Sequence, residues 1–142
     1  MDTLKEKLGK STLIILDDLM IIAGNDSVNL TNLNNIASRD SHHSNASVIF
    51  VCQSLNYGSG KLRTIKVNSQ YHIMCKSLSC YRDVETVAAN KKICKNKIHQ
   101  VINDVGKKEY GYIVFDGCPK GCANTRVRTG IFPKDETIVY DV

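Results

Sequence analysis

Residues Ser11–Met20 read STLIILDDLM, and the fold turns on how that stretch is read. Thr12–Leu16 (TLIIL) is a short continuous apolar run that two acids stop abruptly. A run of this kind predicts a strand buried on both faces. A strand rises about 3.3 Å per residue, so the apolar segment anchors in the core while its carboxyl end meets solvent. Asp17 and Asp18 sit at that end.

Outward from this strand, Asn25–Ile36 (NDSVNLTNLNNI) predicts a short helix carrying Leu30, Leu33 and Ile36, capped by Asp26 or Ser27. A polar stretch, Ser38–Asn45, leads into Ala46–Cys52 (ASVIFVC), a second buried strand ending at Gln53. Asn56–Gly60 (NYGSG) is a glycine-rich loop, and Leu62–Val67 and Tyr71–Cys75 read as extended segments. Asp83 caps a predicted long amphipathic helix through about Val105, with Val84, Val87, Ala88, Ile98, Val101 and Ile102 on its core face and Gly106 at its C-cap. Tyr110–Phe115 and Arg126–Phe132 are strands that the CPKGC turn joins into a hairpin, and Lys134–Val142 adds an edge strand or frays. The order predicts an α/β layered single domain over residues 1–142, with a mostly parallel central sheet and a C-terminal hairpin.

Composition narrows the classes. Hydrophobic content of 42% with 23% charge suits a folded chain rather than a disordered one. No apolar run approaches the ~20 residues that cross a bilayer, and no signal-peptide pattern follows MDTLKEKLGK. The expectation is an intracellular, non-secreted protein with no membrane partner, its six cysteines reduced. Cys118/Cys122 and Cys75/Cys80 lack the common two-residue spacing of zinc knuckles, which disfavours structural zinc. A net charge of +5 suits a polyanion such as nucleic acid, although the Asn90–Lys97 run (NKKICKNK) reads first as a solvated helix face.

A hydrophobic strand ending in paired acids is the pattern of a Walker B element, here over residues 12–18. In open parallel sheets ligands bind outside the carboxyl ends of the strands. Asp17 is then the magnesium residue, acting through water because magnesium dehydrates reluctantly, and Asp18 orients the attacking water. The plain alternative is a strand ending at a polar turn. Gln53, closing the 46–53 strand, is a candidate sensor of the γ-phosphate or the attacking water. Arg39 is a candidate arginine finger, with a surface pair to Asp40 as its alternative. His42 and His43 lack a third clustered ligand, so a metal site there is disfavoured. A magnesium nuclease using Asp17, Asp18 and His42 is the weakest option, because such sites converge more acids.

LIILDDLM, SRDSHHSNASVIFVCQSL and RTIKVNSQYHIM, in that order, resemble the viral and transposon branch of the FtsK–HerA packaging ATPases. YGYIVFD and RVRTGIFP are similar to that group's terminal strands, so the resemblance spans Thr12 to Pro133. It implies a RecA/FtsK-like P-loop NTPase fold, Asp17 and Asp18 as Walker B acids, Gln53 as sensor and, less directly, Arg39 as finger. It implies ATP and magnesium as cofactors, double-stranded DNA as cargo, a homo-oligomeric ring, and a capsid portal or vertex nearby, in a host cell or virion. Where relatives carry a second basic residue after the histidines, this chain has Ser44.

One motif departs further. A P-loop needs GxxxxGK[ST], whose amides cradle phosphates. The nearest match, Gly58–Lys61, has Leu55 at the first glycine and Leu62 at the hydroxyl position. Eleven residues precede Thr12, too few for a strand, P-loop and helix. The expectation is the C-terminal half of a motor domain, hydrolysing ATP only when a Walker A segment outside this chain, such as a complementing N-terminal half, completes the site. The alternative is a non-catalytic DNA-binding or assembly module.

Overall fold

The computed structural model describes residues 12–18, 27–40, 46–55, 62–76, 81–118 and 126–142, with the side chains of residues 27–30, 39 and 40 outside that description. The chain divides into two compact units, Met1–Ser69 and Gln70–Val142.

In the first unit, β1 (Thr12–Leu16) and β2 (Ala46–Phe50) run parallel, with Thr12 opposite Ala46 and Leu16 opposite Phe50. Between them in sequence lies α1 (Ser27–Asn35), which continues into a π-helical turn at Ile36–Asp40. Parallel neighbours need such a crossover. A short helix α2 (Arg63–Asn68) follows β2. Leu33, Ala37, Leu62 and Ile65 form a buried cluster, with Leu16, Phe50 and Cys52 packed against it.

This pair is covered on one face, not on both as the sequence predicts. Burial alternates along each strand, and Leu13, Ile15, Ile49 and Val51 remain 44–60% exposed. One layer of helical side chains reaches only the Leu16–Phe50 side. The segment Leu62–Val67, read as extended, is also corrected. Its β-branched residues favour a strand by composition, but Leu62 and Ile65 are the buried positions, and that three-residue spacing belongs to a helix.

The second unit is an antiparallel sheet with two helices. β3 (Tyr71–Cys75), β4 (Tyr112–Asp116), β5 (Val127–Thr129) and β6 (Ile138–Val139) pair in sequence order. Tyr71 lies opposite Asp116, Phe115 opposite Val127, and Thr129 opposite Ile138. The expected hairpin and edge strand are thus present, and the described strands hold a parallel pair and an antiparallel sheet where one mostly parallel central sheet was expected.

The expected long helix is two, α3 (Tyr81–Asn90) and α4 (Lys95–Gly106). Asp83 lies in the first turn of α3, where a carboxylate suits the positive end of the helix dipole, rather than at its cap. The break is a Schellman motif: Ile93 N–H donates to Ala88 O at 3.0 Å and Lys92 N–H to Ala89 O at 3.0 Å. Lys92 takes the left-handed position (φ 61°) that glycine usually fills. The other end of α4 also differs from expectation. Gly106 is its last helical residue, and the chain leaves through tight turns, Lys107 N–H to Asp104 O and Lys108 N–H to Val105 O.

All six residues expected on the core face are buried, and Met74, Val105, Ile113, Phe115 and Val127 join them. Phe115 and Val127 are fully buried, each contributing about 1.5–3 kcal/mol. On the other face of the sheet Arg128 Nη1 donates to Asp116 Oδ2 at 3.0 Å. No helix of the described residues is long and apolar enough to cross a membrane.

Candidate functional site

The parallel register decides where the sequence-predicted residues fall. With Leu16 opposite Phe50, Asp17 and Asp18 leave the carboxyl end of β1 beside the chain that leaves β2 through Val51, Cys52 and Gln53. Val51 N–H donates to Leu16 O at 2.9 Å, so the residue just past β2 stays bonded to the last residue of β1. Asp17, Asp18 and Gln53 are all exposed at this edge.

The turn at the acids is tight. Asp18 has a left-handed backbone (φ 55°), and its N–H donates to Asp17 Oδ1 at 2.8 Å. Asp is one of the few residues that tolerates this region, because its short polar side chain bonds locally. The two carboxylates thus stand next to each other at one strand end.

The donor set fits magnesium in part. Magnesium keeps several waters and takes one or two carboxylates together with substrate phosphates, which the exposed Asp17–Asp18 pair can supply. No group of three or more His, Cys, Asp or Glu side chains converges among the described residues, so a site built of protein ligands alone is not present among them. ATP phosphates need a cradle of backbone amides, and GxxxxGK[ST] does not occur in these 142 residues.

Arg39 lies in the π-helical turn that precedes β2, and its side chain is outside the described set. His42, His43 and Ser44 lie outside the described residues, as do the NYGSG loop, Lys61, Cys80, Asp26 and the CPKGC turn beyond Cys118. Cys52, Cys75, Cys94 and Cys118 form no disulfide among the described residues.

Sequence reasoning passed over Asp116, Arg126 and Arg128, and read Lys91 and Lys92 as part of a solvated face. Lys91 is half-buried instead, in the interhelix turn. Burial pushes its ammonium pKa below the usual lysine value, with Arg126 repelling it and Asp116 opposing the shift. The legible signal was charge without periodicity: the run NKKICKNK carries four lysines but only two core-like apolar residues, too few to define one continuous helix face.

No family model matches the chain, and neither a curated protein nor a solved structure matches it.

Proposed function

We propose that this chain supplies the acid-bearing part of a nucleotide-driven DNA-packaging motor of the FtsK–HerA kind, with a RecA/FtsK-like P-loop core completed by a Walker A segment. The observation that carries this reading is the parallel β1–β2 register, which brings Asp17, Asp18 and Gln53 to one sheet edge. Walker B and sensor chemistry needs that juxtaposition: an acid for the metal, an acid for water and an amide for the γ-phosphate, all at the carboxyl ends of neighbouring strands.

Asp17 would hold the metal, Asp18 would accept a hydrogen bond from the attacking water and orient it, and Gln53 would donate its amide hydrogens toward phosphate oxygen. Magnesium, when bound, neutralises phosphate charge. Arg39 is the candidate finger that stabilises transferring charge from a neighbouring copy. The bare apolar face of β1 and β2 also supports the reading, since strands of a doubly wound sheet expect cover on both sides. Double-stranded DNA as cargo, a ring of copies and a capsid vertex follow from the resemblance alone.

The direct test is ATP hydrolysis by the chain with and without a polypeptide bearing GxxxxGK[ST] from the same coding region. Hydrolysis in the mixture that Asp18→Asn abolishes supports the proposal. Absence of activity in the mixture, with Asp18→Asn indistinguishable, would sink it. The second reading, a DNA-binding or assembly module without catalysis, draws on the missing P-loop and the net charge of +5. It expects salt-sensitive DNA affinity with no nucleotide binding.

A further inference from the structure

A second feature lies wholly within the Gln70–Val142 unit and owes nothing to the acids of β1. A cavity of about 600 Å³ opens beside the α3–α4 turn, lined by Lys91, Lys92, Asp116, Gly117, Arg126 and the tail Tyr140–Val142, with Asn90 and Ile93 completing the turn side. That volume falls within the range of small-ligand pockets, about 300–1,000 Å³.

Its charge is unbalanced. Asp116 is already committed, since its Oδ2 accepts Arg128 Nη1 at 3.0 Å and its Oδ1 accepts the Cys118 N–H at 2.8 Å. Lys91 and Arg126 line the same cavity with Asp116 already paired, and the Arg126 charge disfavours the Lys91 ammonium. Asp141 and the terminal carboxylate of Val142 are the other acids at the wall. Four cations, counting Arg128 behind Asp116, stand against three carboxylates. Among the described residues, the side chains of Lys91, Lys92 and Arg126 donate to no protein acceptor.

Two details of backbone reinforce the point. Gly117 forms part of the wall, and a Cβ there would stand 2.6 Å from Lys91 Nζ and 3.0 Å from Gln70 O, so the absence of a side chain keeps the ammonium's approach open. Lys92 holds a left-handed conformation at the rim, where glycine would be less strained. Here the side chain is a cation on a cationic cavity.

We propose that this cavity binds a phosphate group, clamped between Lys91 and Arg126, with Lys92 at the rim supplying a third positive charge. A phosphate monoester carries about −1.5 to −2 charges at neutral pH, and Lys91, Lys92 and Arg126 are the cations at the wall that meet it. Arginine offers it paired donors and lysine a point charge. The cavity exceeds a bare phosphate, so it has room for the group that bears one. The phosphate belongs either to a free phosphorylated ligand or to a DNA backbone.

The test is titration of the full chain with pyrophosphate and, separately, with a short DNA duplex at fixed ionic strength, following the backbone amide resonances of Lys92 and Gly117. Saturable shifts are expected, weakened about tenfold by Lys91→Met and by Arg126→Gln. Lys92→Gly separates binding from folding: it should weaken binding while raising the thermal midpoint. Saturation by pyrophosphate alone assigns a free phosphorylated ligand, and saturation by duplex with the same sensitivity assigns a DNA phosphate; either supports the site. No saturable shift with either probe, or shifts unchanged in all three variants, overturns it.

Discussion

Arg128 on β5 and Asp116 at the end of β4 form an ion pair of 3.0 Å whose side chains are only 20% and 10% exposed. The pair is diagonal across adjacent strands, because Arg128 lies directly opposite Val114, two residues before Asp116. Asp116 also accepts the Cys118 N–H, so one carboxylate fixes both the strand and the turn that leaves it.

Breaking such a pair leaves a charge with little water to replace its partner. Arg128→Ala should therefore destabilise the Gln70–Val142 unit by about 2–4 kcal/mol. Asp116→Asn, which keeps an acceptor for Cys118, should cost less. Urea unfolding of both variants checks the order, and a loss below about 0.5 kcal/mol for Arg128→Ala, the scale of an ordinary surface change, contradicts it.

Gly130 follows β5 with φ 71°, and a Cβ there would collide with the Glu136 carbonyl. Thr137 Oγ1 donates to the Gly130 carbonyl at 2.6 Å, closing the turn on itself. Gly130→Ala should cost about 1–3 kcal/mol, combining left-handed strain with overpacking. Its thermal midpoint should fall, whereas Gly106→Ala, with nothing within 4 Å of the new Cβ, should leave the midpoint level or higher.

His99 on α4 and Glu85 on α3 lie 2.5 Å apart, with Lys95 Nζ at 3.5 Å from the same carboxylate oxygen. The hydrogen bond with His99 is the main cause holding the Glu85 carboxyl below its usual value of 4.5, with burial opposing and Lys95 assisting. A carboxyl depressed in the folded state stabilises above its unfolded pKa, and that contribution disappears as pH falls through the folded one. The difference in thermal midpoint between the wild type and Glu85→Gln should be present at pH 6 and vanish towards pH 3. A difference that stays constant across this range rules the linkage out.

The uncovered face of β1 and β2 carries Leu13, Ile15, Ile49 and Val51 side by side. Contiguous apolar surface of this kind drives association. The isolated chain should self-associate, and Leu13→Lys with Ile49→Lys should shift sedimentation towards monomer. A wild-type chain sedimenting as a single monomeric species would refute this.

Much of the fold was legible where one periodicity dominated. The TLIIL and ASVIF segments are strands because short, β-branched-rich apolar runs bounded by polar residues leave few alternatives. Val84, Val87, Ala88, Ile98, Val101 and Ile102 recur at helical spacing and are buried as that spacing requires. Legibility failed where local preference met tertiary packing. Thr64, Ile65 and Val67 favour a strand, yet Val67 is 70% exposed and the segment coils to bury Leu62 and Ile65. The break after Asn90 had no glycine or proline to announce it, because Lys92 occupies the left-handed position itself. Asp17, Asp18 and Gln53 could be picked out as strand-end polar groups, but only pairing direction brings them to one edge. Lys91 and Arg126 were invisible as neighbours, since 34 residues of chain separate them.

The end of the chain is fastened rather than loose. Tyr140 N–H donates to Val127 O at 2.9 Å and its hydroxyl donates to Asp104 Oδ2 at 2.7 Å; burial first, and then that hydrogen bond, raise the phenol's pKa above its ordinary value. Tyr140, Asp141 and Val142 then finish against the wall of the cationic cavity. For anyone handling this protein the consequence is practical. A purification handle fused after Val142 would emerge at the cavity mouth, and an acidic or histidine-rich one would compete for it.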